Sequence, residues 1–344
     1  MSNDAQLRIL DASANRATEG LRVVEDYVRF VLDDAHLTRL LKQTRHELAL
    51  ACQEVLGSDR YASRDTQQDV GTEISTESET KRVDAWNVCI ASLERSKQSI
   101  RSLEEFSKVA SPAIATKFES LRYDLYTIEK ALAVTHESQT QLEDVTLCTL
   151  IDGQESVAAF TALVEKFITD GVGMIQLRDK QLDDRQLLER AKLLKKLAPS
   201  ASQLTTLTII NDRPDIAAAA NADGVHLGQD DLDVKSARAI LGPRKLIGVS
   251  THSIDQARQA VLDGANYLGA GPTFPSSTKS FDQFPGLDYL RQVATEITLP
   301  TFAIGGIDVD NLPQVLEAGI TRVAVSSAAS SASQLLKILD SKKN

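Results

Sequence analysis

Two acidic residues, Asp212 and Asp231, stand out because each follows a short apolar run that stops abruptly. The runs are Thr208-Ile209-Ile210-Asn211 and Gly224-Val225-His226-Leu227, and Pro214 to Ala222 between them reads as a helix. That is strand, helix, strand, with a carboxylate just past each strand tip. In a parallel α/β barrel, chemistry gathers at the C-terminal tips. Two carboxylates brought together there can hold Mg²⁺. Fixed positive charge stands beyond another apolar run, Met174-Ile175-Gln176-Leu177, which ends in Arg178-Asp179-Lys180. Hydroxyls end two more, at Ser250 and at Ser326-Ser327, and a double glycine, Gly305-Gly306, ends a third. Each feature has a plainer reading. Asp212 and Asp231 could cap the helices that follow them, Arg178 to Lys180 could be a solvated turn, and the two glycines a tight turn.

The elements that would position these groups are legible as a pattern. Apolar runs at Val145–Ile151, Gly173–Leu177, Thr208–Ile210, Gly224–Leu227, Lys245–Ser250, Tyr267–Phe274, Thr301–Ile307 and Arg322–Ala328 alternate with helical patterns such as Val157–Val164 and Ala257–Leu262. Strands alternating with helices imply parallel pairing. Eight such units over roughly 200 residues fit a (β/α)8 TIM barrel. His226 lies within a strand and reads as a hydrogen-bonded structural histidine, whereas His252, just past Ser250, is the better candidate to line a site.

Residues 1–136 differ, with few glycines and no strand pattern, and read as an all-α helical bundle preceding the barrel. Leu21, Val24, Val28 and Val31 share one helical stripe, and Leu37, Leu40, Leu41, Leu48 and Val55 form the next. Further helices are expected over 83–109 and 113–134, with a polar loop over 58–80. The polar stretch THESQTQLED makes 137–144 the expected linker, leaving 145–344 as the catalytic barrel. The helical part also repeats itself: Arg16–Tyr27 matches Arg95–Phe106 at an offset of 79, and Leu41–Leu48 matches Phe118–Leu125 at 77. Arg16, Arg22, Arg45, Arg101 and Arg122 could cluster for phosphate, or pair with Glu19, Glu25 and Glu104 along the helices.

Bulk properties exclude other classes. A net charge of −10 argues against a nucleic-acid partner. No run of about 20 apolar residues is present, and MSNDAQLRIL is too polar for a signal peptide, so no membrane partner is expected. Cys52, Cys89 and Cys148 lack metal-ligand spacing and read as ordinary thiols in a reducing cytoplasm. Small-molecule substrates are the expected partners, and association into a homo-oligomer is left open.

The motifs QLRDK (176–180), ND (211–212), HLGQDD (226–231), GVSTHS (248–253), GPTFPSSTK (271–279), AIGGI (303–307) and VSSA (325–328) resemble, in order and spacing, the thiamine-phosphate synthase (thiamine-phosphate pyrophosphorylase) family. The resemblance implies condensation of a pyrimidine diphosphate with a thiazole phosphate and release of diphosphate. It implies Mg²⁺ held by Asp212 and Asp231, and positive charge from Arg178, Lys180 and Lys279 on the leaving group. Gln176, Asn211 and Ser250 match positions that bind the pyrimidine diphosphate, with the three cations. Ser276, Thr278, Gly306, Ser326 and Ser327 match thiazole-phosphate positions. Ser276 departs from the threonine common in the family, keeping the hydroxyl and losing a methyl, and the variable loop from Ser276 to Gly286 is the expected lid. RILDASANRATEGLRVVEDYVRF and RDTQQDVGT resemble an extension that precedes this synthase in some bacteria and is associated by name with pyrimidine-phosphate kinase activity; a structural bundle is the alternative. Two rival readings of the barrel remain: a thiazole tautomerase-like enzyme, which needs no diphosphate-bound metal, and a non-catalytic protein binding thiazole or thiamine phosphate.

Overall fold

A computed structural model describes residues 3–57, 81–198, 206–275 and 285–341, which fall into two compact units, Met1–Leu132 and Ala133–Asn344. The first holds α1 (Asn3–Tyr27), α2 (Ala35–Leu56), α3 (Ala85–Ser107) and the larger part of α4 (Pro112–Gln141). The second holds β1 (Leu147–Ile151), α5 (Val157–Asp170), β2 (Met174–Leu177), α6 (Asp184–Leu197), β3 (Leu207–Asn211), α7 (Pro214–Ala219) and β4 (Gly224–Leu227). It continues through α8 (Val234–Leu241), β5 (Leu246–Thr251), α9 (Ile254–Asp263), β6 (Tyr267–Ala270), α10 (Gly286–Glu296), β7 (Thr301–Ile304), α11 (Leu312–Glu317), β8 (Arg322–Val325) and α12 (Ala332–Asp340). The eight strands pair in parallel, in chain order, and β1 closes on β8: the TIM barrel that the alternating pattern implies.

Side chains alternate across each strand. Cys148, Met174, Ile209, Leu246, Tyr267, Phe302 and Ala324 pack together in the barrel core, with Leu142 and Val145 from the approach to β1. Two residues on from Met174 and Ile209, and four from Leu246, the same inner face carries Gln176, Asn211 and Ser250 toward the C-terminal mouth. The apolar layer thus holds the strands, and the polar layer above it is free for chemistry.

The expected linker is corrected. Helix α4 runs through 137–141, leaving only a short connection before β1. Thr135, Ser138 and Leu142 are buried at helical spacing. Ser138 Oγ accepts from Asn266 Nδ2 at 3.1 Å, and Gln139 Nε2 donates to the Thr298 carbonyl at 3.2 Å. The stretch reads as polar because Ser138 and Gln139 make their hydrogen bonds to the barrel, a pattern invisible to a search for apolar periodicity. Leu142 is fully buried, and its carbonyl accepts from Arg322 at 3.2 Å.

In the helical unit, a π-helical turn, Val28–Leu32, follows α1 and rotates the stripe, so that Leu32 is buried and Val31 is exposed. The expected loop over 58–80, with RDTQQDVGT, lies outside the described residues. The repeat is present in the hydrogen bonding. Asp34 caps α2 by accepting from Leu37 N, and Ser111, 77 residues further on, accepts from Ile114 N at the start of α4. Arg45 Nε reaches Glu25 Oε2 at 2.8 Å, and Arg122 Nε reaches Glu104 Oε2 at 2.8 Å. Ser96 Oγ also donates to the carbonyl of Ala17, its equivalent in the repeat, at 3.3 Å.

Cys52, Cys89 and Cys148 are buried, and burial pushes the thiols of Cys89 and Cys148 up to about 12, away from redox or nucleophilic work. Among the described residues no helix is long and apolar enough to cross a membrane.

Removing the Leu142 side chain leaves a cavity under the strands. Leu142→Ala is expected to destabilise the barrel by about 2–5 kcal/mol, read as a lower urea midpoint by tryptophan-independent far-ultraviolet circular dichroism. A change under ~0.5 kcal/mol, the usual range for surface positions, would show that Leu142 does not close the core.

Candidate active site

Asp212 and Asp231 meet at the tips of β3 and β4. Neither caps a helix. The N-cap of α7 is Arg213, with no side-chain cap, and the N-cap of α8 is Asp233, which accepts from Ser236 N. Asp212 instead takes a left-handed backbone, φ 61°, and its N–H donates to the His226 carbonyl at 2.8 Å. Such a φ is uncommon outside glycine and is best tolerated by Asn and Asp. Asp231 Oδ2 accepts from Gly228 N at 2.7 Å. Burial first, then the hydrogen-bonding closeness and charge of Asp231, push the Asp212 carboxyl up to about 6, against the pull of Lys180 and Arg178. Lys180 Nζ stands 3.9 Å from Asp212 Oδ2.

Lys180 and Arg178 are placed by the residue between them. Asp179 Oδ2 accepts from Gly153 N at 2.8 Å, and its Oδ1 accepts from Gln181 N and Leu182 N at 2.7 and 2.9 Å. Burial opposes the charge, but these three backbone donors hold the carboxyl below its usual range. Asp179 is therefore a structural anion that ties the loop after β2 to the loop after β1. A Cβ on Gly153 would lie 2.3 Å from Leu182 Cδ1, so the leucine side chain would have to move to admit one. Lys180 is exposed and Arg178 partly so.

Deeper in the mouth, Gln176 is buried on β2 and Asn211 is half-buried at the end of β3. Ser250, on β5, is held from two sides. Its Oγ lies 2.9 Å from His226 Nε2, and its carbonyl accepts from Gln229 Nε2 at 2.6 Å. His226 Nδ1 lies 3.2 Å from the Tyr267 hydroxyl, and burial pushes the imidazole down to about 4, so it is neutral. His226 is thus the hydrogen-bonded histidine expected, but its partner is a candidate site residue. His252, expected to line the site, turns its Nδ1 to the Gly271 carbonyl at 2.5 Å and pins the loop after β6. Tyr267, Gln229 and Asp179 were not singled out by sequence. The one available signal was a tyrosine in a strand, two residues before Gly269.

On the far side of the mouth, Gly305 and Gly306 take positive φ, and a Cβ on either would lie 2.8 Å from the segment Pro272–Pro275. That segment is stitched to β7 by Thr273 N to the Ile304 carbonyl and Phe274 N to the Gly305 carbonyl, both 2.9 Å. The glycines therefore serve a close backbone approach. Ser326 and Ser327 are exposed at the end of β8 and open a five-residue 3₁₀ turn, Ser327–Ser331, not α12 itself, which begins at Ala332. Ser276, Thr278 and Lys279, with the expected lid, lie outside the described residues. The structure brings together Arg178, Lys180, Asp212 and Asp231, and separately Ser250 with His226. Gly306, Ser326 and Ser327 occupy the adjoining tips of β7 and β8.

Comparison with known proteins follows the same division. Residues 147–329 match the family model described as thiamine monophosphate synthase, and residues 8–131 match the ThiD2 family. A thiamine-phosphate synthase of Rhodopirellula baltica is 46% identical over 331 residues, covering 94% of this chain and 88% of that protein. One from Synechocystis sp. is 40% identical, covering 95% and 92%. Among solved structures, a thiamine phosphate pyrophosphorylase from Pyrococcus furiosus aligns with a TM-score of 0.50 and 31% identity, over 57% of this chain and 96% of its own.

The Asp212–Asp231 contact generates a test. Because the folded pKa of Asp212, about 6, lies above its unfolded value, protonation adds stability that is complete below about pH 4 and lost as pH rises through about 6. Asp212→Asn removes that charge at every pH and suits the left-handed backbone. In chelator at pH 8 it is expected to melt about 2–4 °C above the parent, the shift that about 1 kcal/mol gives a unit of this size. Mg²⁺ should raise the melting temperature of the parent and not of the variant. A lower melting point for the metal-free variant would show that the two carboxylates do not strain one another.

Proposed function

Since the chain belongs to the thiamine-phosphate synthase family, we propose that the cations and carboxylates at the tips of β2, β3 and β4 receive the diphosphate of its pyrimidine substrate. The enzyme is a transferase that joins the diphosphate ester of hydroxymethylpyrimidine to the phosphate ester of hydroxyethylthiazole, giving thiamine phosphate and diphosphate. A bond forms from the thiazole nitrogen to the pyrimidine methylene carbon, and the carbon–oxygen bond to diphosphate breaks with its electron pair leaving on oxygen. The nitrogen already carries a lone pair, so no base is required. The demand on the protein is to hold a departing polyanion.

The observation that carries this reading is Asp212 against Asp231 with Lys180 at 3.9 Å. A carboxylate whose ionisation is opposed by burial and by a second carboxylate beside it fits a divalent cation, and Mg²⁺ commonly uses one or two carboxylates with substrate phosphates supplying further oxygens. Mg²⁺ held by Asp212 and Asp231 would neutralise charge on the departing diphosphate. Arg178, Lys180 and, from the loop after β6, Lys279 add fixed charge, which is worth more in a closed, poorly screened site than in water. Gln176, Asn211 and Ser250 orient the pyrimidine diphosphate. Ser276, Thr278, Gly306, Ser326 and Ser327 receive the thiazole phosphate, in the region where barrels of this kind often bind phosphate. A tautomerase or a passive binding protein would have no use for the strained carboxylate pair.

For the helical unit we favour a structural role over kinase chemistry. Arg22 pairs with Glu25 and Asp26, Arg45 with Glu25, Arg101 with Glu104 and Glu105, and Arg122 with Glu104. Those arginines are engaged by carboxylates of their own unit. The buried, reduced thiols accord with a cytoplasmic setting.

Steady-state assay of diphosphate release tests the site. Lys180→Met and Lys279→Met should each lower kcat on the order of 10²–10³, the usual cost of removing one such contact, with circular dichroism unchanged. Asp231→Ala should lose most activity, and chelator should silence the parent until Mg²⁺ is restored. Near-parental kcat in both lysine variants would return them to the solvated surface. A fragment of residues 133–344, keeping Ser138 and Gln139, is expected to make thiamine phosphate at the full-length rate; a folded but inactive fragment would give the helical unit a part in the reaction.

A further inference from the structure

Inside the barrel, three polar side chains from three strands form one hydrogen-bonded row: Tyr267 on β6, His226 on β4 and Ser250 on β5. The row is built at the expense of side chains elsewhere. His226 pairs in register with Gly248, and Gly248 with Tyr267. A Cβ on Gly248 would lie 2.1 Å from Tyr267 Cζ, and one on Gly269 would lie 3.0 Å from His226 Cε1. Two strand positions are glycine, where glycine weakens a strand, so that these two rings can sit side by side, 5.5 Å between centroids.

The direction of the row follows from its buried end. The Tyr267 hydroxyl has a proton to donate, and its hydrogen-bond partner among the described residues is His226 Nδ1 at 3.2 Å. Burial keeps the phenol protonated, its pKa pushed well above the ordinary value. Leaving a buried donor without an acceptor is strongly unfavourable, so Nδ1 must accept. A neutral imidazole that accepts at Nδ1 carries its hydrogen on Nε2, and Nε2 lies 2.9 Å from Ser250 Oγ. Ser250 Oγ therefore accepts from the histidine, and its own O–H is left to point into the mouth. The reverse polarity would turn the serine proton inward and present lone pairs to an anion. Gln229, donating to the Ser250 carbonyl at 2.6 Å, keeps the backbone of the serine in place while the row orients its hydroxyl.

We propose that His226 and Tyr267 are positioning residues that lock the Nε2–H tautomer of His226, so that the Ser250 hydroxyl is held as a hydrogen-bond donor toward the substrate diphosphate. This rests on the reading that Ser250 contacts the diphosphate. The row selects for an all-acceptor ligand and needs no charge on the histidine.

Two measurements on the full chain test it. Nitrogen-15 NMR of the unliganded parent should show His226 as the Nε2–H tautomer; the Nδ1–H tautomer would overturn the proposal without any mutation. Calorimetric titration of inorganic diphosphate with Mg²⁺ then compares the parent, Tyr267→Phe, Ser250→Ala and the double variant. Tyr267→Phe should weaken diphosphate binding about fivefold, within the range of one neutral hydrogen bond, and leave the KM for thiazole phosphate unchanged. Adding Tyr267→Phe to Ser250→Ala should change nothing further, because the effect runs through the hydroxyl. An equal loss in both backgrounds, or a parallel rise in both KM values, would mark Tyr267 as merely structural. Ser250→Ala binding diphosphate as tightly as the parent would sink the assignment of Ser250 beneath the proposal. Loss in Ser250→Ala with none in Tyr267→Phe would sink the row alone.

Discussion

Neighbouring strands in a sheet lie about 4.8 Å apart, so like charges that leave adjacent tips in the same direction cannot avoid one another. Asp212 directly follows β3 and Asp231 stands four residues past the end of β4, close enough to add to burial in opposing the ionisation of Asp212. The chain turns left-handed at Asp212, which moves the capping position of α7 to Arg213. That helix then starts with proline in its first turn, where a missing N–H costs little. Asp231 is steadied by Gly228 N, and α8 takes its cap from Asp233 instead. Neither acidic residue is spent on ordinary helix chemistry. The tension between them is relieved by a proton or a cation, and Lys180 at 3.9 Å relieves it only in part.

The opposite end of the barrel shows how polar groups look when they have no such task. Asp223 accepts from Thr208 N and Oγ1 and from Lys195 at 2.6–2.9 Å. Asn266 accepts from Ile247 N and Arg238 and donates to Ser138. These networks bond each side chain to two or more partners, and a well-satisfied network in a poorly screened place is rigid. At the mouth the charges are partly paired and partly exposed, so they remain available to a ligand. The same fold thus separates stability from reactivity along one axis, with the apolar layer of Met174, Ile209, Tyr267 and Phe302 between them.

The helical unit obeys a different economy. Helices α1 and α3 approach so closely at Gly20 that a Cβ there would lie 2.3 Å from Ser96 Oγ and 2.7 Å from the Ser92 carbonyl. Glu25 and Glu104, both almost wholly buried, each take an arginine from the following helix at the same distance, and that is how one helical hairpin comes to be used twice. Removing one partner would strand a buried carboxylate, which is far more costly than losing a surface pair. Arg45 and Arg122, two of the arginines that looked like a phosphate cluster in sequence, are held in that arrangement.

What the sequence determined by itself is whatever has a local period or a local motif. Eight apolar runs alternating with helices were enough for the barrel, because strand and helix periods are set by backbone geometry within a few residues. The acidic tips, the cations of QLRDK and the repeat of the helical unit were legible for the same reason. The end of α4 was not, because Ser138 and Gln139 are satisfied by Asn266 and Thr298, more than a hundred residues away. The exposure of Val31 was not, because a π-turn shifts the phase of an otherwise regular stripe. Only the tertiary structure decided that Asp212 and Asp231 are not caps, that Asp179 is a brace for its neighbours, and that Tyr267, His226 and Ser250 share a row. Each of those outcomes depends on strand register, which brings together residues 19 to 41 positions apart, and register is fixed by packing across the closed sheet and not by any signal within a single strand.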